Sequence, residues 1–370
     1  MACTFTTAIF ADQALEPAWA YATGGPVFSS PVHAEGLIFV GSDDRHLHAI
    51  DAASGARRWT RELGAPVRSE PLVDGSAVLV AHGNDLTCIA RADGAVLWTF
   101  SPGDARGATP QDRWDYHQAS PLQAGGLIYH GAGNGVLHAL DRETGAVRFT
   151  FATDEHSAIR SRPAVDDGLV IFGDWNGLVY ALDAATGALR WKHATLAGPK
   201  PYPQFGGITS PVLVRSGRVA FGARNPDVCH LDAATGARLW TFTAENGTWV
   251  PGTPVLDGDE LFITGSDDHR VHALDAGTGK PRWSCDVGSN MFNAPIVVGR
   301  HVIAASANSY AEDAGVGRLH VIDRTTGTLV RSVIAGGNAG ASSPLLLEGH
   351  IIIGSEDGRV LAFDLAALVN

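Results

Sequence analysis

The residues best suited to chemistry gather around His117. Asp115 and Tyr116 precede it, and Asp154-Glu155-His156 and Arg160 follow further along. A histidine oriented by a carboxylate is a candidate general base, because its proton affinity lies near neutrality. The catalytic candidates are therefore His117, Asp115, Tyr116 and Arg160. The same carboxylates and imidazoles could instead ligate a divalent metal, although no strict ligand spacing marks such a site. Arg68 and Arg160 could clamp a carboxylate or phosphate through their planar guanidinium forks. The bland alternative, weighed equally, is that these arginines plug a channel and pair with nearby Asp and Glu. Trp114, Tyr202, Trp249, Phe292, Asn290 and His156 supply aromatic walls and polar groups of the kind that line small-molecule sites.

Something must bring these scattered positions together, and the chain supplies it by repetition. Eight units recur, each opening on a proline: Pro31, Pro71, Pro121, Pro163, Pro211, Pro254, Pro295 and Pro344. The spacing suits four short strands and their turns. Each unit carries apolar runs such as Leu37-IFVGS, a tight turn such as Asn134-Gly135 or Asn176-Gly177, then a third run and an Asp-x-x-Thr-Gly turn. Asn-Gly pairs permit the positive φ angles of a hairpin. No segment sustains a helical period. The expected fold is all-β, an eight-bladed propeller with four antiparallel strands per blade, over residues 1–370 as a single domain. The last unit ends without its outer strand, and an orphan strand near Trp19, within residues 14–23, is expected to complete it and close the ring.

The phrase Ala181-LDAATGALRW, repeated as His230-LDAATGARLW and Ala273-LDAGTGKPRW, resembles the tryptophan-docking repeat of the pyrroloquinoline-quinone (PQQ) dehydrogenase-like family, which also holds BamB-like repeat proteins. The resemblance covers nearly the whole chain. It implies that the Trp of one blade packs on the Thr-Gly turn of the next. The chain departs from the dehydrogenases by lacking their adjacent cysteine pair and their long insertions over the cofactor, so PQQ is not expected; no other cofactor is assigned, and a divalent metal stays open. Fold likeness alone assigns no activity.

Charge and targeting signals set the remaining expectations. The formal net charge is −12, which argues against nucleic acid as a partner. The opening residues carry no basic group before Arg45, no long apolar core and no lipidation segment before Cys3. The expectation is a cytoplasmic protein with no membrane partner, binding a small molecule or a protein on its loop face. An enzyme of specialised metabolism using the His117 and Arg160 neighbourhood is the alternative, and a quinone oxidoreductase the distant third. Two links between blades are unusually long, Thr99 to Ser120 and Lys192 to Ser210, so the site is expected where they converge.

Overall fold

In the computed structural model, which describes residues 14–196, 200–202, 205–245, 249–307 and 315–370, eight four-stranded antiparallel sheets follow one another around a ring. Blade 1 shows the plan: an inner strand Val32–Ala34, then Leu37–Gly41, His46–Asp51 and an outer strand Arg57–Glu62. The eighth blade takes Leu345–Leu347, His350–Ser355 and Arg359–Asp364 from the C-terminal end and Trp19–Ala22 from the N-terminal end. Trp19 lies opposite Ala362 and Ala22 opposite Arg359, so the first described strand seals the last sheet.

The core is divided among the blade interfaces. One cluster joins Ile171, Val179 and Ala181 of blade 4 to Val219, Phe221 and Cys229 of blade 5, and comparable clusters recur around the ring. Alternation along each strand sends one face to each neighbouring blade, so both faces are buried and the strands read as nearly continuous apolar runs.

The Asp-x-x-Thr-Gly phrase is the joint between blades. The Asp232 carboxylate accepts hydrogen bonds from the Thr235 backbone N–H (3.0 Å) and hydroxyl (2.9 Å), and Gly236 follows at φ 69°. Trp191 of the preceding blade lies flat on that glycine and donates its indole N–H to the Ala233 carbonyl at 2.9 Å. The same bond joins Trp19 to Ala52, Trp59 to Arg91, Trp240 to Ala276 and Trp283 to Arg324. Blade 3 has Phe149 in this position, which has no N–H. There the equivalent carbonyl, of Ala184, is satisfied at 2.6 Å by the hydroxyl of Tyr129.

The last blade differs from the sequence expectation. Its Thr-Gly turn is replaced by a short helix, Leu365–Val369, because Asp364 accepts from the Ala366 and Ala367 N–H groups and caps it. Arg331, standing where blade 7 lacks its Trp, donates to the Ala367 carbonyl at 2.6 Å.

The histidines that recur three residues before the turn Asp in four of the repeats are, with one exception, internal struts. His48 bridges Asp44 and the Tyr21 hydroxyl, His272 bridges Asp268 and Ser284, and His320 lies between Ser306 and Ser332. His138 is the exception, buried with neither ring nitrogen partnered. Burial pushes its pKa down to about 3, and neighbouring His130 to about 4.

Two outcomes test this account. Gly236→Ala puts a Cβ 2.6 Å from the Trp191 ring at a positive φ, and should destabilise the protein by about 2–4 kcal/mol in urea denaturation. An unchanged midpoint would show that the turn has slack. His138 titrates lower in the folded chain than in the unfolded one, so its contribution is intact above its ordinary pKa and declines as pH falls toward about 3. Replacing it with Phe should remove on the order of 2 kcal/mol of the stability loss between pH 6.5 and 5. Equal losses in both proteins would refute that assignment.

Candidate functional site

The first long link, residues 101–120, leaves blade 2 after Phe100 and crosses the channel mouth before entering blade 3. Its root is pinned by Asn84, whose side-chain amide donates to the Asp104 and Arg106 carbonyls, both at 2.8 Å, and accepts from the Gly133 N–H. Gly107 and Gly133 then pass so closely that a Cβ on either would strike the other's carbonyl. From that anchor the link reaches every other blade.

Asp112 pairs with Arg224 of blade 5 at 2.8 Å. Trp114 meets Trp249 edge to face, at the entry to blade 6. Asp115 pairs with Arg160 at the entry to blade 4. Tyr116 stacks on Phe28 of blade 1 and meets Phe292 of blade 7 edge to face. His117 bonds the Ala341 backbone of blade 8, and the Gln118 side chain accepts the Arg68 N–H of blade 2. The link is a strap that roofs the channel. Beneath it lies a polar cavity of about 150 Å³, lined among others by His117, Gln118, Ser30 and Thr253.

The electrostatics of the mouth follow from these pairings. Asp115 and Arg160 are only 2% and 3% exposed. Arg160 holds both carboxylate oxygens at 2.9–3.1 Å and donates further to the Gly107 and Thr109 carbonyls. Arg68 is bidentate to Asp43 and lies over the Phe28 ring, and Arg162 pairs with Glu70 across the cavity at 2.7 Å. Arg224 is fully buried between the faces of Trp175 and Trp249, 4.3 and 4.6 Å from their centres. Each of these four guanidiniums has its own carboxylate, so the mouth is locally neutral. Arg68 and Arg160 are thus both paired with carboxylates of the chain itself.

Burial holds the His117 imidazole down to about 4, with Asp115 opposing the shift and Arg224 and Arg68 reinforcing it. It is therefore neutral at pH 7 and a weaker base than a free histidine. Asp174, buried in the second hairpin turn of blade 4, moves the other way, up to about 6.

The remaining candidates divide between strap and rim. Asn290 donates to the Ser266 carbonyl and bridges Ala307 through its backbone, a structural position. His156 is exposed in a short turn, Asp154–His156, away from the buried pair. Ile208 and Val250, which lie near the blade-opening prolines, pack into blade interfaces and do not face the axis. Gln204, Asn246 and Cys3 lie outside the described residues. Among the described residues no three His, Cys, Asp or Glu side chains converge as metal ligands. Cys88, Cys229 and Cys285 are buried free thiols whose pKa values burial raises to about 11, which makes them poor nucleophiles.

The partners that sequence reasoning missed are Asp112, Arg224 and Trp175. One local signal existed: Arg224-Asn225-Pro226 occupies a hairpin turn where other blades have pairs such as Asn-Gly or Asp-Asp.

Arg160→Ala or Asp115→Asn should each cost about 3–5 kcal/mol of stability, because each leaves a buried partner uncompensated. Replacing both with apolar residues should recover part of that loss in a double-mutant cycle. Single losses below about 1 kcal/mol would show that the strap is not held by this pair.

Comparison with known proteins adds what geometry does not. The family model described as outer membrane protein assembly factor BamB matches residues 11–113, 55–229 and 224–367. A stretch of 136 residues is 29% identical to outer membrane protein assembly factor BamB of Yersinia pestis, covering 35% of this chain and 35% of that protein. The matched stretch thus spans about a third of the relative's length. The crystal structure of BamB from Moraxella catarrhalis superposes with a TM-score of 0.72 at 16% identity, over 95% of this chain and 98% of the other. Quinohemoprotein alcohol dehydrogenase from Comamonas testosteroni superposes with a TM-score of 0.75 at 15% identity, over 95% and 77%. At these identities the structural likeness speaks to fold alone.

These relatives overturn the expectation of a cytoplasmic protein with no membrane among its partners, because they are named for outer membrane protein assembly. The error has a physical source. Net charge and the lack of an apolar run report only on direct contact with lipid or nucleic acid, and they do not report where a protein resides.

Proposed function

This chain belongs to the family of outer membrane protein assembly factor BamB, and from that membership we propose that it is a protein-docking scaffold of a membrane-associated assembly. The observation that carries the reading is the strap. It fills the channel mouth with the chain's own side chains, and the cavities directly against it hold about 150 and 60 Å³, with one of about 240 Å³ adjoining at Arg162, Pro211 and Thr253. Sites for drug-sized molecules commonly run from about 300 to 1,000 Å³. Capped in this way, the loop face offers a surface for a partner.

The outer side of the strap has a composition suited to that role. Arg113 is exposed and lies over Trp114, 4.0 Å from the ring centre. Tyr202, 42% exposed, accepts the Trp249 indole N–H at 2.7 Å and so continues the same patch from blade 5's approach. Arginine and large aromatics held rigid from below are the residue types that dominate binding energy at protein interfaces. The charged rim of Asp154, Glu155 and Lys192 beside them suits orientation and encounter.

The test combines fractionation of the source cells with variants of the patch. The native chain should sediment and float with outer membranes. Arg113→Glu combined with Tyr202→Asp should release it to the soluble fraction while leaving the thermal midpoint within about 2 °C. A chain that stays soluble throughout, or a double variant that fractionates like the native protein, would overturn the proposal.

A further inference from the structure

Blade 5 breaks the repeat in a way the ring does not require. The third residue of the second strand is large in seven blades, as with Phe39, Tyr129 and Ile352, and is Ala220 in blade 5. Its cross-strand partner is reversed in size. Ala49, Ala139 and Ala362 face the three large residues just named, whereas His230 faces Ala220.

Charge is reversed at the same interface. The inner strand ends on Asp74, Asp166 and Asp257 in blades 2, 4 and 6, but on Arg215 in blade 5. At three joints an arginine after the first residue of the turn reaches back and closes the gap between blades: Arg91 to Glu35, Arg142 to Asp74 and Arg324 to Asp257. The turn of blade 6 has Ala276 in that position, as blades 1, 4 and 5 have Ala52, Ala184 and Ala233, but only in blade 5 is the large residue of the second strand missing as well. The gap between blades 5 and 6 therefore lacks both the filling side chain and the closing ion pair.

What remains is a cavity of about 650 Å³, on the face opposite the strap. Its walls are Leu213, Leu239, Leu256 and Leu261, and Arg215 stands at its mouth. Among the described residues Arg215 has no ion pair, while its neighbour Arg218 is held by Asp232 at 3.0 Å. His230 forms part of the lining, packed against Trp240 with ring centres 4.6 Å apart and its Nδ1 buried without a partner. Desolvation holds that imidazole down to about 4, so it presents a neutral ring to an entering apolar group.

We propose that this gap binds a small amphipathic carboxylate, its apolar chain among the four leucines and its carboxylate on Arg215. The volume lies within the range of small-molecule sites, and apolar walls with one or two convergent polar groups are their usual make-up. The space is that of missing side chains between two blades, which admits an alkyl chain and not a folded surface. A free guanidinium on a protein of net charge −12 selects an anionic head over a cationic one.

Octanoate is the probe, titrated calorimetrically into the full chain beside octan-1-ol and octyltrimethylammonium. Octanoate should bind saturably at one site, more tightly than either comparison compound. Arg215→Gln, a surface change, should weaken octanoate by about tenfold and leave octan-1-ol unchanged. Ala220→Phe combined with His230→Ala restores the packing of the other blades and should abolish binding without lowering the thermal midpoint. If that double variant fails to fold, Arg215→Gln decides alone. No saturable octanoate heat, octan-1-ol binding as tightly as octanoate, or undiminished octanoate binding by Arg215→Gln would overturn the assignment.

Discussion

An aromatic ring lying on a glycine holds this molecule together. Each outer-strand Trp, or Phe149 in blade 3, covers the glycine of the next blade's turn, where the positive φ and the contact both exclude a side chain. The turn is prepared by its own Asp, whose carboxylate gathers the Thr N–H and hydroxyl. Seven joints repeat this geometry and the eighth, between blades 7 and 8, is made by Arg331 on the C-terminal helix, so the ring closes after eight blades. A second belt runs nearer the axis, where Ser342 donates to the Ser29 carbonyl and Ser29 to the Ser69 carbonyl. Blade 8 is thereby tied to blade 1 both at its rim and at the channel.

A ring of this size leaves a channel that its own inner strands do not fill, and the strap is the answer to that constraint. Six of its residues reach the seven blades other than the one it enters, Tyr116 serving both blade 1 and blade 7. Buried charge is placed where a single loop must be held in one position. Asp115 with Arg160 and Asp112 with Arg224 are the pairs withdrawn furthest from solvent at the mouth. Buried ion pairs add little net stability compared with apolar packing, but a misplaced loop would leave them unpaired at high cost, so they select one arrangement. The aromatic neighbours Phe28, Tyr116 and Phe292 supply the apolar contact area.

The parts that were legible in the sequence are those that recur. The docking Trp, its glycine, the hairpin turns and the orphan strand at Trp19 each appear as copies of a pattern, so one correct reading covers the ring. The strap was legible only as unusual length and composition. Its ion pairs join single residues 45 and 112 positions apart, and no periodicity marks a contact made once. Asp115 and Arg160 were therefore recognisable as charged groups near the axis, while their mutual pairing and the depth of His117 were not. Arg224 was missed because it sits in a turn that resembles its equivalents in position but not in residue type. The localisation expectation failed for a different reason, since it was drawn from net charge and apolar runs and not from the repeat that the relatives share.

The two faces of the ring follow from the same economy of repetition. On the loop face, each link is free to vary because the Trp joint lies on the other side, and one link grew into a strap whose outer surface is rich in arginine and aromatics. On the turn face, variation is confined by the joint itself, since any change must leave the Trp and its glycine in contact. Blade 5 meets that condition: Trp240 still donates to Ala276 at 3.0 Å and still covers Gly279. The exchange of a large residue for Ala220 and of a small one for His230 lies one layer inside the joint. A cavity can open there without loosening the ring, so a repeat protein is able to depart from its pattern at a single interface.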